Sequence, residues 1–166
     1  MHTFVPRFGY ISQTSEGNSV MLRGLTTTNF FADDMAAAAK WYAELFGVQP
    51  YFVRPETGPP AYIEFRIGDY QHEFGLLSRA WAPHPATDQP AGAIVYWHVD
   101  DVATTYEKVL AMGAREHDAP TTREAGFITA SVTDPFGNIL GLMYNPHYLE
   151  ILESMRAQPR PEPQDP

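Results

Sequence analysis

The chain of 166 residues contains no cysteine. That absence excludes disulfides, thiol nucleophiles, zinc ribbons and every thiolate metal site. Nor is there an apolar run near the roughly 20 residues that a membrane span needs. The opening MHTFVPRFGYISQTSEGNS has no apolar core of signal-peptide length, so a cytoplasmic location is expected. Basic residues are scarce: 11 Lys and Arg stand against 20 Asp and Glu, a formal net charge of −9. Phosphates need cations opposite them, so nucleic acid is not an expected partner. An acidic surface keeps a protein soluble and can also attract a cationic ligand.

Apolar side chains are plentiful, at 44% of residues with 13% aromatic, enough to build a core. Residues 1–20 are polar and aperiodic and read as a flexible leader, with Met21 as an alternative start. Residues 157–166, AQPRPEPQDP, carry four prolines and read as a disordered tail.

The text between them reads twice. In the first pass, residues 22–78, a strand ends at Asp33-Asp34. The helix MAAAAKWYAELFG follows, with an Asp N-cap and Gly47 past its end. Met35, Ala38, Trp41, Tyr42, Leu45 and Phe46 form its apolar face. VQPYFVR (48–54), AYIEFRIG (61–68) and YQHEFGLLS (70–78) read as strands. A linker over 79–92 holds Pro83, Pro85 and Pro90. The second pass, residues 93–145, repeats the order: strand 93–101, a helix closed by Gly113, and three more strands. A short helix over 146–156 ends the pattern.

The two passes align residue by residue. Asp33-Asp34-Met35-Ala36 matches Asp100-Asp101-Val102-Ala103 at an offset of 67. Phe74-Gly75-Leu76-Leu77 matches Leu140-Gly141-Leu142-Met143 at an offset of 66. The expected fold class is therefore α+β: two tandem βαβββ modules forming a curled, partly open mixed β-sheet trough with helices outside.

This duplicated unit, the Asp-Asp before each helix and the turn Asp134-Pro135-Phe136-Gly137-Asn138 resemble the vicinal oxygen chelate superfamily. That group includes glyoxalase I, extradiol dioxygenases and bleomycin-resistance binding proteins. The resemblance covers residues 22–148. In metal-using members it implies four ligand positions, usually His or Glu. Carried over, these fall on Thr27, Gly75, Ile94 and Gly141. None offers an imidazole or a carboxylate, and a lone hydroxyl is a poor ligand for Zn²⁺ or Fe²⁺. The resemblance so implies a metal-free, apolar and roomy trough floor, with no cofactor expected.

Strand alternation from these anchors adds Asn29, Glu73, Leu77, Tyr96, His98, Met143 and Asn145 to the trough side. Glu73 and His98 are candidate catalytic residues, as a general base and its partner, or with His72 as a displaced metal site. The alternative is structural: Glu73 pairs with Arg66, and His98 bonds a strand neighbour or stacks on aromatics. Trp81, on the linker, is a candidate lid. The first functional reading is a metal-independent binder that sequesters an aromatic or cationic small molecule. The second is a lyase, isomerase or oxygenase of the same superfamily. A third is a module that binds another protein. A homodimer is the expected assembly, again by resemblance.

Overall fold

The computed structural model describes residues 25–82 and 93–157. The leader, the prolines of the linker and the Pro-rich tail lie outside the described residues. The first module comprises β1 (Thr27–Ala32), α1 (Met35–Phe46), β2 (Phe52–Arg54), β3 (Tyr62–Ile67) and β4 (His72–Ser78). The second comprises β5 (Val95–His98), α2 (Val102–Ala111), β6 (Arg115–Thr122), β7 (Ile128–Thr133) and β8 (Ile139–Tyr144). The helix α3 (Pro146–Arg156) follows. Each module forms one four-stranded mixed sheet, in the orders β1-β4-β3-β2 and β5-β8-β7-β6. Within each, the first strand runs parallel to the fourth and the hairpin strands run antiparallel. This is the expected α+β pair of βαβββ modules, with no closed barrel.

The capping logic repeats with the sequence. The Asp34 carboxylate accepts from Ala37 N–H, and the Asp101 carboxylate accepts from Thr104 N–H, each at 2.9 Å. Each satisfies one of the free donors of a first turn. Gly47 ends α1 with φ +69°, a left-handed turn that glycine enters without steric cost. The strand read over 48–54 shortens to Phe52–Arg54, because Pro50 supplies no ladder N–H.

The helix-facing sides of both sheets share one core. Phe30, Phe65, Phe74 and Leu76 join Tyr42 of α1 in it, and Leu140, Leu142, Ala130 and Val132 join Val109 and Tyr106 of α2. Trp97 of β5 crosses the boundary, with its ring near Phe46 and Phe74. Polar groups then fix how the modules meet. The Asn138 carboxamide accepts from Phe31 N–H and donates to Phe31 C=O, both at 3.0 Å. It thus supplies the edge of β1 with the donor and acceptor that a neighbouring strand would offer. Arg79 donates to Phe136 C=O at 2.7 Å and to Phe31 C=O at 3.2 Å. The Trp41 indole donates to Met112 C=O at 2.8 Å.

Buried and half-buried phenols link folding to alkaline pH. Burial, with Asp134 beside it, raises the Tyr42 hydroxyl well above its ordinary value of 10.0. Burial and a carboxylate partner push Tyr106 and Tyr148 up to about 12. These groups hold their protons more tightly folded than unfolded. The associated stability is therefore complete below pH 10 and falls as pH rises from there towards 12. For Tyr42 alone the expected slope is about 1.4 kcal/mol per pH unit at 25 °C. Urea unfolding between pH 8 and 11.5 checks this. Stability that stays flat above pH 10, or a slope unchanged in Tyr42→Phe, would reject it.

Candidate functional site

In β1, Phe30 and Ala32 turn to the core, which leaves Thr27 and Asn29 on the opposite face. In β4, Phe74 and Leu76 turn to the core, which leaves Glu73, Gly75 and Leu77 opposite. Register pairs Thr27 with Glu73 and Asn29 with Gly75. In the second module Tyr96 pairs with Gly141 and His98 with Met143. Ile94 stands one residue ahead of β5, outside the ladder.

The two glycine positions are not roomy, contrary to the expectation. A Cβ added at Gly75 would lie 2.1 Å from Asn29 Oδ1 and 3.0 Å from the Tyr62 ring. One added at Gly141 would lie 2.7 Å from the Tyr96 ring and 2.9 Å from Val95 C=O. Each glycine is covered by the side chain of its register partner on the first strand of its own module. Absence of a Cβ therefore creates contact, because an amide and a phenol ring settle onto bare backbone. With Thr27 and Ile94 as the other members, this set offers no donor group suited to a catalytic metal. Among the described residues, no group of three or more His, Asp or Glu side chains is arranged to hold an ion.

A cleft of about 290 Å³ opens where the edges β1 and β5 face each other. Leu25, Thr26 and Thr28 line one side, and Val95, Tyr96, Trp97 and His98 the other. Ile67, His72, Glu73, Met143, Asn145 and Tyr148 complete it. Its wall is closed by α3. Tyr148 stacks on the His98 imidazole, with centroids 4.6 Å apart and planes 12° apart. Tyr148 also donates to the Asp69 carboxylate at 3.0 Å, which ties α3 to the β3–β4 turn. The carboxamide of Asn145 caps α3 by accepting from Tyr148 N–H.

Of the residues picked from the sequence, His72, Glu73, Tyr96, His98, Met143 and Asn145 line this cleft. Thr27, Asn29, Gly75, Ile94 and Gly141 do not. Trp81 does not line it either. It sits on a 3₁₀ turn beyond the C-terminal end of β4, 70% exposed, whereas the cleft borders the N-terminal end of that strand. Nothing in its position makes it a lid for this cleft.

Glu73 is a hub. It accepts from Thr27 Oγ1 and Arg66 Nη2, both at 2.9 Å, and from the Tyr51 hydroxyl at 3.5 Å. The Tyr51 hydroxyl also donates to Glu64, which accepts a second bond from Tyr62 at 2.8 Å. Glu64 is a carboxylate only 9% exposed, and sequence reading passed it over. The bond to Glu64 raises the Tyr51 hydroxyl, and burial followed by the Glu64 bond raises that of Tyr62. The signal for this cluster was in plain view: Tyr62-x-Glu64-x-Arg66 places three polar groups on one strand face. Apolar Ile63, Phe65 and Ile67 alternate with them.

No hydrogen bond joins Glu73 to His98. The imidazole Nδ1 accepts from Asn145 N–H at 3.2 Å, which leaves the proton of the neutral ring on Nε2. Nε2 is buried without a hydrogen-bond partner and lies 3.7 Å from the Asp100 carboxylate. The two candidate acid–base residues thus share a cleft but have separate partners.

A family model described as Glyoxalase/Bleomycin resistance protein/Dioxygenase superfamily matches residues 24–142. No curated protein matches the chain. Among solved structures, a glyoxalase-related enzyme from Fulvimarina pelagi is 21% identical. It superposes with a TM-score of 0.59, over 75% of this chain and 90% of that one. A member of the same superfamily from Sphaerobacter thermophilus DSM 20745 is 16% identical, with a TM-score of 0.59 over 76% and 100% of the two chains. A family enzyme from Burkholderia phytofirmans PsJN is 18% identical, with a TM-score of 0.56 over 72% and 96%. At these identities the likeness shows the fold.

Proposed function

The chain belongs to the Glyoxalase/Bleomycin resistance protein/Dioxygenase superfamily. From that premise we propose that it is a metal-independent binding protein for a small aromatic or cationic molecule held in the β1–β5 cleft. One observation carries this reading: a cleft of about 290 Å³ that combines aromatic walls with a single carboxylate, Glu73. Its volume is close to the lower end of the roughly 300–1,000 Å³ common for small-molecule sites. Tyr96, Trp97 and Tyr148 supply aromatic surface, Leu25, Ile67 and Met143 supply apolar surface, and Glu73 selects for positive charge.

The enzyme reading has less support. It rests on a relocated metal or on acid–base chemistry through Glu73 and His98. Among the described residues no three His, Asp or Glu side chains are arranged to hold an ion, Glu73 is paired with Arg66, and His98 Nδ1 accepts from Asn145 N–H. A homodimer and a cytoplasmic location accompany the binding reading as expectations. Light scattering and cell fractionation check them.

The test has two stages. Protein purified without chelators is offered Mn²⁺, Fe²⁺, Zn²⁺ and Ni²⁺, and metal content is read by mass spectrometry. No retained ion is the expected result, and one tightly bound ion per chain would overturn metal independence. A panel of aromatic amines and their neutral isosteres is then titrated against indole fluorescence, to which Trp97 contributes from the cleft wall. Amines are expected to bind better than isosteres and to lose about tenfold in Glu73→Gln, the scale of one charge-assisted hydrogen bond. If no compound binds, or if a substrate is turned over through Glu73, the reading fails.

A further inference from the structure

On the face of sheet one that adjoins the cleft, the chain already holds a cation against the acidic cluster. The Arg66 guanidinium lies over the Tyr51 ring, 4.8 Å from its centroid. Its Nη2 donates to Glu73 Oε1 at 2.9 Å. The same Tyr51 hydroxyl reaches Glu64 and, at 3.5 Å, that same Glu73 oxygen. One ring face and one carboxylate, Glu73, thus hold a planar cation, and the Tyr51 phenol links that carboxylate to a second, Glu64. Aromatic faces and carboxylates are the two surfaces that bind organic cations best.

We infer that Arg66 occupies the cation subsite of the cleft's ligand and is displaced from Glu73 when an aryl amidinium or guanidinium binds. This inference rests on the proposed binding function and adds the class and orientation of the ligand. The aryl body lies in the cleft beside Tyr96 and Met143, and its positive group replaces the guanidinium on Glu73 Oε1.

Three features make the exchange physically reasonable. Arg66 is attached weakly, because its side chain is 49% exposed and that of Glu73 is 30% exposed. Exposed ion pairs and exposed cation–π contacts are each among the weaker interactions in proteins. Glu64, by contrast, is nearly buried and receives two phenol hydroxyls, and no cation pairs with it among the described residues. The negative charge that faces the subsite therefore exceeds what Arg66 neutralises. Finally, Glu73 keeps its bond from Thr27 on its other oxygen, Oε2, so the carboxylate stays aimed when Arg66 leaves.

An internal competitor lowers apparent affinity by the fraction of molecules whose subsite is free. Removing it must therefore tighten binding. Benzamidinium is the probe and benzamide its neutral isostere, titrated by calorimetry into wild type, Arg66→Ala and Arg66→Gln at 50 and 300 mM salt. Benzamidinium should bind both variants about tenfold tighter than wild type, with the gain shrinking at high salt. Benzamide should bind all three alike. Adding Glu73→Gln to Arg66→Ala should abolish the gain. Equal or weaker benzamidinium binding in both variants overturns the inference, as does an equal gain for benzamide. Failure of the binding function itself looks different: no aromatic compound of the wider panel would then bind any of the proteins.

Discussion

Replacing Asp134 by Ala is expected to lower the stability of this protein by about 3–5 kcal/mol, the range for losing a buried group with several partners. Asp134 is fully buried. Its carboxylate accepts from Phe136 N–H at 2.9 Å, Asn138 N–H at 2.7 Å, Asn138 Nδ2 at 2.8 Å and the Tyr42 hydroxyl at 2.5 Å. The first three hold the β7–β8 turn, and the fourth joins that turn to α1 of the other module. Asn138 in turn occupies the edge of β1. One substitution thus strands four donors and releases the amide that aligns the modules. Asp134→Asn retains a single oxygen acceptor and should fall between wild type and alanine. Urea unfolding of the three proteins at pH 7 measures this. A loss below about 1 kcal/mol for Asp134→Ala would show that water or a shifted turn replaces those bonds.

Gly141→Ala is expected to cost about 1–3 kcal/mol, the usual scale for overpacking a filled site. The added methyl would meet the Tyr96 ring at 2.7 Å and the Val95 carbonyl at 2.9 Å. The ring can turn aside, but the carbonyl belongs to the parallel ladder of β5 and β8 and moves only with the strand. For Gly75→Ala the atoms nearest the added methyl all belong to side chains, Asn29 Oδ1 at 2.1 Å and Tyr62 at 3.0 Å. The paired variants therefore separate the two sites. Adding Asn29→Ala should restore most of the stability lost in Gly75→Ala. Adding Tyr96→Ala should restore only part of that lost in Gly141→Ala. Thermal midpoints of wild type and these four variants test the contrast, and full rescue at both sites would refute it.

These two glycines bear on how the superfamily's metal positions are used in this chain. A carboxylate introduced at 75 or 141 would have to evict the side chain that now lies there. The carboxylates flanking Gly75 on that face are already engaged: Glu64, across the ladder, with Tyr51 and Tyr62, and Glu73, two residues away, with Thr27, Tyr51 and Arg66. The arrangement supports recognition by an aromatic and acidic surface, with Arg66 as the group to be displaced.

Much of the architecture was legible without coordinates, because it depends on local signals repeated along the chain. Asp34 and Asp101 mark helix starts, Gly47 marks an end, and alternation in Tyr62–Ile67 and the apolar run Ile139–Met143 mark strands. The offset of 66 to 67 residues then sets two such units beside each other. Face assignments followed as well, since a strand's period of two is fixed by backbone geometry. Three things were decided only by tertiary structure. Whether Gly75 and Gly141 leave space depends on which side chains fall across them, and those come from a strand some 45 residues away. The placing of Trp81 away from the cleft depends on the direction in which β4 carries the chain. The Tyr51–Glu64–Glu73–Arg66 cluster brings together β3, β4 and the residue ahead of β2, which only the sheet order joins. Periodicity specifies which way a residue faces, while sheet register and packing between the modules specify what it faces.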